Sequence, residues 1–171
     1  MDEFRSLWSN SSDHMKILLT RLTNDTHRLE CIRDDGTRES AELETKSLLK
    51  HDLVHLAVEK EAGLLEGFWG LVAAGKTFKE LSGKNTMSPG EPPKSELAIT
   101  EMVVGMMTGY LVNQAKAEDI LLAADTIFKG SSIALPPYLT PSFMEAVSKR
   151  YKALIGQVNG TPFHETIELS F

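Results

Sequence analysis

At Thr45 the hydrophobic pattern of the chain changes period, and that change decides most of what the sequence can fold into. From Met15 to Glu44 the residues alternate: MKILLTRL, then HRLECIR after the turn formers Thr23, Asn24 and Asp25, then RESAELE after Asp34, Asp35 and Gly36. Alternation at period two buries one face of a strand, and Asp35-Gly36 offers the positive φ of a tight hairpin, so a three-stranded meander is expected. From Lys46 the apolar residues recur at helical spacing and continue so to about Ile155. The last nine residues, FHETIELSF, alternate again, with Phe163, Ile167, Leu169 and Phe171 on one side. The reading is an α+β fold: a small antiparallel sheet, made of three N-terminal strands plus the C-terminal strand, packed against about five helices.

Local signals divide the helical region. Thr45 or Ser47 can cap the first helix, and Gly63 with Gly67 marks its end. Leu64 to Leu81 reads as a short, glycine-broken helical segment with Phe68, Trp69, Leu71, Val72 and Phe78 as its bulk. Ser82 to Lys94, with three prolines and two glycines, is a surface segment and a candidate gate. Ser95 can cap a helix running to about Ala117, in which Gly105 and Gly109 permit close approach of a neighbour. Glu118 to Lys129 is a further helix, with Ile120, Leu121, Ala124, Ile127 and Phe128 inward, and Thr140-Pro141 starts another that ends near Gly156.

A chain of 171 residues encloses one sizeable core, so residues 15–171 read as a single domain and 1–14 as a loose arm whose Phe4, Leu7 and Trp8 form an apolar face. A net charge of -6 with no dense basic run argues against nucleic acid or an anionic membrane surface as partner. Lys149, Arg150 and Lys152 read as a solvated helix face. The lone cysteine, Cys31, excludes an internal disulfide and sits among apolar neighbours as a small buried hydrophobe. With no secretory apolar core and no window of membrane-span length, the expected location is the cytoplasm.

The residues that carry chemistry lie on the first helix, KSLLKHDLVHLAVEKEAG. At about 100° per residue, His51, Asp52, His55 and Glu59 share an arc opposite Lys46, Lys50, Lys60 and Glu61, and Leu48, Leu49, Leu56 and Val58 flank that arc toward the interior. Ionisable groups are costly inside unless they are paired or hold a metal. Histidines four apart on a helix present both imidazoles on one edge, the arrangement by which HExxH helices hold zinc. Aspartate in the glutamate position is too short for a base on metal-bound water, so Asp52 is read as orienting a histidine. A third ligand is needed, and Glu59, Glu101 and His164 are the candidates. Glu101 stands out because it shares a helix face with Leu97, Val104, Leu111 and Val112.

HDLVH with a later glutamate resembles the HDxxH-plus-glutamate zinc motif of the ubiquinone-biosynthesis coordinating protein family, over about sixteen residues. The resemblance implies zinc held with the help of His51, Asp52 and His55. Glu66 falls one residue earlier than the family's glutamate and is not carried over. Glu42 to Gly70 is also similar to a stretch of bacterial proteins with no assigned function, which implies no activity. A literal phosphate-loop match, GLVAAGKT at 70–77, lacks the preceding strand and the long following helix that such a loop requires.

Two main readings result. In the first, an internal site binds a divalent metal such as zinc through His51 and His55, completed by Glu101 or Glu59 and supported by Asp52; if the protein is catalytic, metal-assisted chemistry on a small molecule follows. In the second, the chain is a non-catalytic homodimeric interaction module with a buried polar network. Nucleotide binding at 70–77 is the third.

Overall fold

Alternation becomes strands where it was expected. A computed structural model describes residues 14–82, 95–113 and 115–171. The expected arm, apart from His14, and the proline-rich segment beyond Ser82 lie outside the described residues. Strands β1 (Met15–Arg21), β2 (Thr26–Arg33), β3 (Arg38–Glu44) and β4 (Thr166–Ser170) form one antiparallel sheet in the order β3-β2-β1-β4. The register places Ile17 opposite both Cys31 and Leu169, so one face collects Met15, Ile17, Leu19, Leu29, Cys31 and Leu169 in the core. The other face carries the exposed pairs Lys16–Glu168, Arg28–Glu42 and Arg38–Glu30. The β2–β3 turn uses Gly36 at φ 81°, and Asp35 accepts from both the amide and the hydroxyl of Thr37.

Phe163 does not join the inward row as expected. It is half exposed beneath the Arg21 guanidinium, 4.6 Å from its ring centre, because the chain turns at His164 (φ 65°) and becomes a strand only at Thr166.

The first helical residues, Thr45–Leu49, form a π-helical turn. Its cap is Glu44, the last residue of β3, whose carboxylate accepts from the amides of Lys46 and Ser47. Thr45 and Ser47, the expected caps, serve otherwise: Thr45 is buried with its hydroxyl on His27 Nδ1, and the Ser47 hydroxyl donates to Glu44. The wider turn also shifts the rotation, leaving Leu48 exposed while Leu49 is buried. Helix α1 (Lys50–Ala62) ends as expected at Gly63, in the left-handed region at φ 65°.

Helices α2 (Phe68–Ala73) and α3 (Phe78–Ser82) replace the single broken segment, divided at Gly75 with φ 99°. This split gives six α-helices among the described residues where about five were expected. Ser95 caps α4 (Glu96–Asn113) through the Ala98 amide, and α5 spans Ala117–Gly130 with Ala124 and Phe128 buried and Ile127 exposed, against expectation. Thr140 caps α6 (Pro141–Gly160), which runs past Gly156 to Gly160 because that glycine keeps a helical φ. Helix α1 packs between α4 and α6, and its Leu53, Leu56, Ala57 and Val58 join Trp69, Val104, Met107 and Leu154 in one core. No described helix is long and apolar enough to cross a membrane.

Candidate metal centre

Two helices bring the site together. Helix α1 sets His51 and His55 one turn apart, with ring centres 4.8 Å from each other, and α4 brings Glu101 against both. Glu101 Oε1 lies 3.2 Å from His55 Nε2, and Oε2 lies 3.9 Å from His51 Nε2. One ligand atom from each of the three residues falls within 4.8 Å of the others. Ligands about 2.1 Å from a tetrahedral ion stand roughly 3.4 Å apart, so the His55–Glu101 edge already has that spacing. The His51 edge needs a small swing from a side chain that is 48% exposed, whereas His55 is 1% and Glu101 24% exposed. The third vertex therefore faces solvent.

Glu59, expected as a candidate ligand, is placed differently. It lies on the other ring nitrogen of His55, with Oε1 3.0 Å from Nδ1, and is fully buried. The same carboxylate accepts from the backbone amides of Phe68 and Trp69 at 2.9 Å and Gly70 at 3.3 Å, the first turn of α2. Burial raises its pKa, while hydrogen bonds from His55 and from the Gly70 and Trp69 amides oppose the rise. Donors surround it on every side, which is the setting of an ionised carboxylate. Burial pushes the His55 imidazole toward neutrality, but Glu101 and Glu59 together outweigh it and lift the pKa to about 9.

Asp52, the expected supporting residue, keeps its carboxylate 3.7 Å from His51 Nδ1, beyond hydrogen-bond range, and its backbone carbonyl accepts from Trp69 Nε1 at 2.9 Å. Glu66 is exposed and outside the cluster; its amide donates to the Glu96 carboxylate. His164 is exposed in the turn before β4 and is not part of the cluster either. No family model, curated protein or solved structure matches the chain. The site therefore has to be read from its own geometry.

That geometry also contains what sequence reasoning missed, the clasp between Glu59 and α2. Its signal was the pair of glycines around Phe68 and Trp69: a Cβ at Gly67 would stand 2.5 Å from Glu59 Cδ, and one at Gly70 would overlap the Leu65 carbonyl. The aromatic rings complete the wall, Phe68 lying 5.6 Å from His55 and 5.1 Å from Trp69 between ring centres.

The phosphate-loop match at 70–77 is not in a phosphate-loop setting. Gly70 lies inside α2, no described strand leads into it, the described residues after it up to Ser82 hold the five-residue α3, and the sheet is antiparallel. A cavity of about 400 Å³ is lined by residues that include Arg33, Asp34, Ala73, Gly75 and Phe171 and by none of the three clustered residues.

Proposed function

We propose that the protein binds a divalent metal ion of the zinc type through His51, His55 and Glu101. The observation that carries this reading is the convergence of two imidazole Nε2 atoms and a carboxylate from two different helices, with a second carboxylate, Glu59, on the far nitrogen of the more buried ring. Imidazole and carboxylate donors suit zinc and its first-row neighbours, and a histidine held from behind by a carboxylate is the usual support of such a ligand. The resemblance of HDLVH to a zinc motif points the same way. Three protein ligands leave a coordination position open on the side of the half-exposed His51, and an ion there would supply Lewis-acid chemistry to a small molecule.

A second reading, a non-catalytic homodimeric interaction module, draws on other observations. His55 has a carboxylate within 3.0 Å of one nitrogen and 3.2 Å of the other, a closed network that needs no ion. Among the described residues, nothing stands within 4 Å of where a Cβ would be at Gly105 or Gly109 of α4, and Val112 on the same helix is exposed.

Metal analysis of untagged protein, repeated on His55→Ala and Glu101→Gln, separates the two. One bound ion per chain, lost in both variants, is the expected result. A metal-free protein whose melting temperature rises with its own concentration would establish the second reading instead.

A further inference from the structure

The carboxylate of Glu59 joins two parts of the chain that the metal ligands do not themselves connect. On one side it holds His55 Nδ1, and on the other it closes the first turn of α2 through the amides of Phe68, Trp69 and Gly70. An imidazole that donates from Nδ1 must present Nε2 to whatever lies opposite, and here that is Glu101. The Phe68 ring packs beside the His55 ring, so the element that anchors the carboxylate also limits rotation of the ligand. Gly67 makes the arrangement sterically possible, because a side chain there would meet Glu59 Cδ at 2.5 Å and Oε2 at 2.6 Å.

We propose that Glu59 is the positioning residue of the metal site and that the first turn of α2 is thereby part of that site, although it supplies no ligand. The inference rests on the metal reading above. It means that displacing the backbone at 67–70 weakens metal binding while His51, His55 and Glu101 stay in place. By reciprocity, metal binding protects those amides against local opening.

The test compares wild type, Gly67→Ala and Glu59→Gln. Gly67→Ala leaves every ligand and Glu59 itself unchanged but drives a methyl group into the carboxylate. Glu59→Gln keeps the size and replaces one acceptor oxygen with a donor. Zinc affinity is measured by competition with a chromophoric chelator, and the His55 ring is followed by proton–nitrogen spectra of its imidazole. The expected result is affinity about 10- to 100-fold weaker in both variants. The wild type should show a slowly exchanging Nδ1–H signal from His55 that Gly67→Ala abolishes, and zinc should slow exchange of the Phe68–Gly70 amides in the wild type. Wild-type affinity in a folded Gly67→Ala, or an unchanged Nδ1–H signal in it, overturns the proposal. Should Gly67→Ala not fold, Glu59→Gln decides by the same two measurements. If the wild type takes up no zinc, the metal reading fails by itself, and the Nδ1–H signal alone decides whether Glu59 positions the ring.

Discussion

The indole N–H of Trp69 donates to the backbone carbonyl of Asp52 at 2.9 Å, tying α2 to α1 one turn before His55. Trp69 is also among the largest fully buried side chains, so its ring and its polar edge are both committed. Trp69→Phe removes the hydrogen bond and leaves a small void; the expected loss is about 1–3 kcal/mol of stability. A urea titration followed by circular dichroism measures it, and an unchanged midpoint would show that the tie contributes nothing.

Two glycines should respond in opposite directions to the same substitution. Gly70 faces the Leu65 backbone so closely that a methyl group cannot fit without moving the chain, whereas Gly105, in the middle of α4, has no described atom within 4 Å of where a Cβ would stand. Gly105→Ala is expected to stabilise by about 0.5–1 kcal/mol through helix propensity, and Gly70→Ala to destabilise by about 1–3 kcal/mol. Paired denaturation curves check the sign of each.

Cys31 should be silent toward thiol reagents in the native protein. It is fully buried between Leu29 and Arg33 on the core face of β2, and burial pushes its thiol up to about 12 despite the nearby Arg33 guanidinium. Thiolate is the reactive form, so modification by a disulfide reagent at pH 8 should require opening of the sheet. The labelling rate should be negligible in buffer and rise with urea in step with unfolding.

Acid should weaken the fold through His27. Its ring is buried with Nδ1 on the Thr45 hydroxyl and Nε2 without a hydrogen-bond partner among the described residues. Burial, and then the Arg21 charge, hold its pKa below the ordinary 6.5. A histidine whose pKa is depressed on folding costs nothing above the unfolded value; stability then falls as pH drops below about 6.5, where the unfolded chain takes up the proton first. Melting temperatures between pH 7.5 and 5 should decline less steeply for His27→Gln than for wild type, and parallel curves would remove His27 from the account.

Much of this molecule was legible in its sequence because two periodicities, two and 3.6, each bury one face, and because caps such as Thr140 and Ser95 act on their immediate neighbours. The charged stripe on α1 and the misplaced Glu101 announced the His51, His55 and Glu101 cluster for the same reason: rotation counts place side chains on faces, and acids on apolar faces need company. What rotation does not give is which nitrogen of His55 faces which carboxylate. That depends on side-chain torsions and on the backbone of residues 67–70, which reaches Glu59 only once α2 has folded against α1. The π turn after Glu44 was hidden for a related reason, since a strand residue turning its own carboxylate onto the next two amides leaves no periodic trace.

β4 lies beside β1, and the two are separated by almost the whole described chain, with Ile17 facing Leu169. During synthesis β1, β2 and β3 can pair at once, but the outer edge of β1 stays bare until residues 166–170 emerge from the ribosome. A chain stalled or clipped before that point exposes a row of unpaired amides and carbonyls that a strand from another molecule can take, so aggregation should be the characteristic fate of products truncated near the C-terminus.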